Sequence, residues 1–164
     1  MITTLHIKNI GIIDDLVIDF NNGFNVLTGE TGAGKTLIVG SLGIITGGRF
    51  SKDMIRKGEN YSFVEANIYC PESEIAIDGN IIVSREIYVN GRNSCKVNGR
   101  LVTVNELKKI MEKIIDIHGQ QDSQNLLDVS KHICYLDEFA GEKIANLKKE
   151  YIELYTNYND IEKN

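Results

Sequence analysis

At 164 residues, 42% hydrophobic and 25% charged, the chain is long enough to bury one core, and no apolar run reaches the roughly 18 residues that crossing a bilayer takes. Three cysteines, Cys70, Cys95 and Cys134, are odd in number and lack C-x-x-C spacing, which argues against a disulfide framework or a zinc site and fits a reducing, cytoplasmic setting. The net charge of -5 speaks against a chain that coats nucleic acid over its whole surface, while leaving room for a local basic face.

From the N-terminus, Leu5 and Ile7 alternate with polar residues, and Leu16-Val17-Ile18-Asp19-Phe20 gives a second run, with Gly11 and Asp14-Asp15 between them as turn material. The pattern predicts a β-hairpin. Phe24-Asn25-Val26-Leu27-Thr28 follows Asn22-Gly23 as a short apolar run, predicting a buried strand. Next comes Gly29-Glu30-Thr31-Gly32-Ala33-Gly34-Lys35-Thr36, which fits the phosphate-loop pattern G-x-x-x-x-G-K-[ST] at every fixed position. In such a loop glycines let consecutive backbone N–H groups turn toward phosphate oxygens at a helix N-terminus, whose partial positive charge favours an anion. Lys35 would reach the β- and γ-phosphates, and the Thr36 hydroxyl would ligate magnesium.

Residues 35 to 46 predict a helix that is apolar on most sides, packed inside a sheet sandwich and stopped by Gly47-Gly48. Arg49, Lys52, Arg56 and Lys57 then surround a turn, and residues 62 to 69 alternate as a strand. Between residues 81 and 102, Asn90-Gly91 and Asn98-Gly99 separate apolar runs and predict a three-stranded antiparallel meander. Thr103-Val104-Asn105-Glu106 is a capping box that opens a helix with Leu107, Ile110, Met111 and Ile114 on one stripe. Ile115-Asp116-Ile117-His118 reads as a further strand running into the polar Gly119-Gln120-Gln121-Asp122.

Taken together, Leu5-His6-Ile7-Lys8-Asn9-Ile10, the loop Gly29 to Thr36, Gly47-Gly48-Arg49, Ile55-Arg56-Lys57-Gly58 and His118-Gly119-Gln120 resemble the N-terminal head segment of the RecN family of bacterial DNA repair ATPases, within the SMC-like ABC ATPases. The resemblance covers nearly the whole chain. It implies an α/β fold: the N-terminal part of a P-loop ABC-type ATPase head over residues 1 to 140, with an antiparallel β-subdomain, and the root of a coiled-coil arm over 141 to 164. It implies ATP and magnesium as ligands, Gln120 as the glutamine that contacts the metal and the attacking water, and Lys35 and Gln120 as the catalytic pair. Gln121 stays open as the inward-facing amide in place of Gln120. The implied function is ATP hydrolysis in DNA double-strand break repair and recombination, in the cytoplasm at the nucleoid. The implied partners are the C-terminal half of the same head, a second copy, and double- or single-stranded DNA.

Ile144, Leu147, Tyr151, Leu154, Tyr158 and Ile161 are spaced three, four, three, four and three, the seam of a heptad repeat. Periodicity alone leaves an arm and a helix folded back on the domain equally open, and the resemblance favours the arm. Ile133-Cys134-Tyr135-Leu136-Asp137-Glu138 imitates a Walker B strand, yet Val129, Ile133, Leu136 and Phe139 follow helical spacing with Asp128 as N-cap and Gly141 as a stop. In ABC heads the Walker B strand follows a Leu-Ser-Gly-Gly type signature, which is absent here, so the chain reads as a piece of a longer polypeptide. Arg85, Arg92, Lys96, Arg100, Lys108, Lys109 and Lys113 outnumber Glu86, Glu106 and Glu112, marking residues 85 to 113 as a candidate phosphate-contacting face centred on Arg92, Lys96 and Arg100. A small-molecule kinase with the same loop and a coiled-coil interaction module with a vestigial site are the alternatives. The first would need an arginine-rich lid, and the second leaves Lys35 and Thr36 unexplained.

Overall fold

The alternating N-terminal residues form β1 (Ile2–Ile10), which turns at Gly11 into the antiparallel β2 (Ile13–Asp19). The computed structural model describes residues 1–30, 34–117 and 129–162, in two units, Met1–Asp116 and Ile117–Asn164. In the first unit, β3 (Tyr61–Tyr69), β4 (Asn80–Tyr88), β5 (Asn93–Val97) and β6 (Arg100–Val102) complete a six-stranded sheet in the order β2-β1-β3-β4-β5-β6, every neighbouring pair antiparallel. The meander expected between residues 81 and 102 is present. Asn98 and Gly99 both adopt positive φ, 49° and 78°, the backbone that a tight two-residue turn demands and that Asn-Gly tolerates best.

Alternation sorts each strand between two faces. Leu5 and Ile7, Val64 to Ile68 at every second position, Ile81, Val83 and Ile87, and Cys95 and Val97 all point to one side and are buried. Two helices cover that side: α1 (Lys35–Ile45) contributes Ile44 and Ile45, and α2 (Val104–Met111) contributes Leu107 and Met111, all buried. Burying a side chain of this size contributes about 1.5–3 kcal/mol, so this single interface is where the first unit's stability resides. The opposite face carries His6, Lys8, Glu65, Glu86 and Lys96, and there Asp15 accepts from His6 Nε2 at 2.7 Å and pairs with Lys8 Nζ at 3.3 Å.

α2 begins at the expected capping box: Glu106 N–H donates to the Thr103 hydroxyl at 3.2 Å, and Thr103 N–H donates to the Glu106 carboxylate at 2.7 Å. α1 ends at Thr46 in a Schellman turn, with Gly47 N–H on the Ile44 carbonyl at 3.1 Å and Gly48 N–H on that of Gly43 at 2.9 Å. A single 3₁₀ turn, Lys52–Met54, then leads into β3.

Three expectations are corrected. Residues 24 to 28 form no strand, and Phe24 and Val26 are 94% and 64% exposed. A strand is held by its ladder, and among the described residues nothing lies alongside this run to pair with it. Residues 115 to 117 likewise form no strand, and His118 lies outside the described residues. Nor is α1 sandwiched between sheets: it rests on one face, and Val39 on its far side is half exposed.

In the second unit α3 (Val129–Ala140) is a helix across the Walker B look-alike, as its spacing predicts. Gly141, at φ 76°, ends it and starts α4 (Glu142–Glu162), and Lys148 Nζ meets Asp137 Oδ2 at 2.5 Å. Asp128, the expected N-cap, lies outside the described residues.

Candidate functional site

The start of α1 is seated against the β1–β2 hairpin. Gly11 N–H donates to the Met54 carbonyl at 2.7 Å, and Gly11 adopts φ 56°, which favours glycine, with Leu37 Cδ1 of the first turn of α1 2.8 Å from where a Cβ would stand. Gly34 is the N-cap of α1 with φ 91°, a conformation strained for any residue with a Cβ. Its carbonyl accepts from both Leu37 and Ile38 N–H at 3.0 Å. No side chain caps the helix and no acidic residue lies in its first turn. Among the described residues the first N–H groups of α1 thus meet no side-chain cap and no carboxylate of their own turn, as an anion-binding helix end requires.

The Lys35 ammonium curls back over the loop and donates to the Gly29 carbonyl and, at 2.7 Å, to the Glu30 carbonyl. Among the described residues it makes no carboxylate ion pair. Two neutral acceptors hold the cation, and a phosphate oxygen would offer it the opposite charge that they lack. Thr36 follows in the first turn of α1 and is exposed, with its hydroxyl available as a metal ligand. No cluster of three His, Cys, Asp or Glu side chains that could hold a metal exists among the described residues. Magnesium at this site would lean on Thr36 and on phosphate oxygens, the manner in which it is commonly bound beside a nucleotide.

Of the predicted site residues, Gly29, Glu30, Gly34, Lys35 and Thr36 converge on the N-terminus of α1. Thr31, Gly32 and Ala33 lie outside the described residues, as do Gln120 and Gln121. The three basic residues are spread along β5, Arg92 at one end and Lys96 and Arg100 at the other. Arg92 sits in the β4–β5 hairpin with its guanidinium 5.5 Å from the centre of the Tyr88 ring, Lys96 stands on the outer face of β5, and Arg100 opens β6. β5 separates the first from the last by roughly 17 Å at an antiparallel rise of ~3.4 Å per residue. Arg85 must be struck from the candidate face altogether, because it is 4% exposed on the core side of β4. Its alternation with Val83 and Ile87 was the available signal.

An antiparallel sheet backing a helix that opens on a phosphate loop defines the N-terminal part of an ABC-type ATPase head of the SMC-like kind. Solved heads agree: the Smc head domain with an extended coiled coil from Pyrococcus furiosus matches 99% of the chain and 48% of its own length with TM-score 0.71 at 24% identity, and that from Pyrococcus yayanosii matches 99% and 37% with TM-score 0.73 at 22% identity. The family model described as AAA domain matches residues 4–164. The chain belongs to that AAA domain family, and the curated proteins it resembles are DNA repair proteins named RecN. It is 37% identical to the DNA repair protein RecN of Halalkalibacterium halodurans over 99% of the chain, and 38% identical to that of Bacillus subtilis over 96%. The chain spans about a third of the length of these relatives, 31% and 29% respectively.

Proposed function

We propose that the chain is the ATP-binding part of an SMC-like ATPase that acts in DNA double-strand break repair and recombination. The observation that carries this reading is a helix N-terminus at Gly34 with no side-chain cap among the described residues and the Lys35 ammonium parked on the Gly29 and Glu30 carbonyls. Residues 29 to 36 would cradle the phosphates, Lys35 would exchange its two carbonyls for phosphate oxygens, and Thr36 would ligate magnesium. Magnesium held by Thr36 would supply compensation for the negative charge of the transferred phosphoryl group. Gln120 would complete the metal and water contacts, and the glutamate that activates water would come from another part of the full-length protein.

The wider proposals follow the same division of labour. The C-terminal half of the head would cover the exposed Phe24, Val26 and Leu27 and the free side of α1. A second copy would supply the signature motif, and α4 would begin a coiled-coil arm, since Leu147, Tyr151, Leu154, Tyr158 and Ile161 all stand exposed along it. In the full-length protein Arg92, Lys96 and Arg100 would meet DNA phosphates. Reversing the three charges tests that last point: each lost phosphate contact should flatten the log-log salt dependence of duplex binding by about 0.9, and an unchanged slope would move the DNA surface elsewhere.

Titration with ATP and with GTP, each with and without magnesium, tests the central assignment. Magnesium-dependent binding that favours ATP is expected, because the guanine-reading Asn-Lys-x-Asp is absent from the chain. Preference for GTP, or no binding of either nucleotide, would refute it.

A further inference from the structure

Arg85 is a charged side chain in an apolar place. It is 4% exposed among Val83, Ile87 and Cys95, and no carboxylate pairs with it among the described residues. Burial without a counter-charge pushes its guanidinium below the ordinary arginine range. An arrangement so costly persists only when the remaining contacts are good. Here they converge on one object. Nη1 donates to the Ile44 carbonyl at 2.8 Å and to the Gly48 carbonyl at 2.8 Å, both at the C-terminal end of α1, and Nε donates to Asn93 Oδ1 at 3.2 Å on β5.

The acceptors explain the missing carboxylate. A helix C-terminus carries about half a negative charge, and its carbonyls have a second lone pair to offer, as that of Ile44 does beside its bond from Gly47 N–H, so a buried cation there is compensated by the helix itself. Space is equally committed: a Cβ on Gly48 would lie 2.5 Å from the Gly43 carbonyl oxygen, and one on Gly47 would lie 2.9 Å from Lys108 Cβ on α2. The end of α1 is thus held by Arg85 of β4, itself braced by Asn93 of β5, and approached by Lys108 of α2, while its other end, roughly 14 Å away at ~1.5 Å per residue, presents Lys35 and Thr36.

We infer that Arg85 is a positioning residue for the phosphate loop: it fixes the C-terminal end of α1 to the β4–β5 hairpin, so the pose of Lys35 and Thr36 depends on that hairpin. For its nucleotide consequence this rests on the ATP-binding reading above. A displacement at the C-terminal end of this 11-residue helix passes along its axis to the first turn, which itself rests on the Gly11 turn through Leu37. A load on the exposed hairpin at residues 89 to 92 therefore reaches the loop through Asn93 and Arg85.

The test measures amide hydrogen exchange at Leu37 and Ile38, relative to Val64 and Ala66 in β3, together with the affinity for magnesium-ATP, in the wild-type chain and in Arg85→Met, Arg85→Lys and Asn93→Ala. Arg85→Met should accelerate exchange at Leu37 and Ile38 about tenfold beyond any change in β3, and weaken ATP about fivefold. Arg85→Lys should recover part of both, since an ammonium reaches the carbonyls but loses Asn93. A purely structural role predicts a lower melting temperature with the exchange ratio and the affinity unchanged, and that result would overturn the inference. If Arg85→Met does not fold, Arg85→Lys and Asn93→Ala decide alone: about threefold effects on the exchange ratio support it, and none in either variant defeats it. If the wild-type chain binds no ATP, the ATP-binding reading fails while the exchange ratio still judges the clamp.

Discussion

Lys35 is held by neutral carbonyls that it can release, and this makes its removal informative. Lys35→Ala deletes a charge-assisted bond worth about 1.5–3 kcal/mol to an anion, so magnesium-ATP should bind about tenfold or more weakly. Because among the described residues the ammonium bonds only loop carbonyls and lies outside the core, the melting temperature should hardly change, and calorimetry with thermal unfolding reads both. Asp15 provides a pH signature on the outer face. Its carboxyl is held below the usual range, first by the His6 ring and then by Lys8, against the opposing effect of desolvation. A carboxyl depressed in the folded state stabilises above its unfolded pKa of about 4, and that contribution disappears as pH falls through the folded value. The wild-type melting temperature should accordingly drop more than that of Asp15→Asn between about pH 5 and pH 3. Parallel curves would mean that the contacts of Asp15 with His6 and Lys8 do not act on stability.

Among the elements, those encoded by local chemistry were the most legible. The capping box at Thr103 and Glu106, the glycine stop of α1 and the Asn98-Gly99 turn each satisfy their own backbone groups within a few residues, so the sequence window contains the cause. Thr103→Ala should cost about 1 kcal/mol in denaturant unfolding through the lost cap, and an unaltered midpoint would show that α2 is fixed by Leu107 and Met111 alone. Residues 24 to 28 and 115 to 117 misled for the opposite reason: an apolar run predicts a strand only if a partner strand arrives, and that is a property of the rest of the fold. Arg85 was read as surface because its residue type is usually exposed, although its register with Val83 and Ile87 already placed it inside. The loop was legible through its fixed glycines, lysine and threonine, whereas the separation of Arg92 from Lys96 and Arg100 needed the strand geometry. For α4, Leu154 is 63% exposed on the proposed seam, so Leu154→Glu should leave the thermal midpoint of the 164-residue chain in place. A clear fall would favour a helix folded back on the domain over an arm.

At the scale of the whole molecule, the phosphate cradle and the catalytic apparatus are separate contributions. The described residues supply a helix end, a cation and a hydroxyl, while positioning and charge stabilisation around the transferred phosphoryl group account for nearly all of the catalysis in this chemistry. Exposed Phe24, Val26 and Leu27 beside the loop mark where the proposed second half would complete the head. Steady-state ATP turnover, measured side by side for this chain and the full-length protein with and without Lys35→Ala, tests that division most directly. The account predicts negligible turnover by the chain and turnover by the full-length protein that Lys35→Ala largely abolishes, whereas sustained turnover by the chain alone, lost on Lys35→Ala, would contradict it.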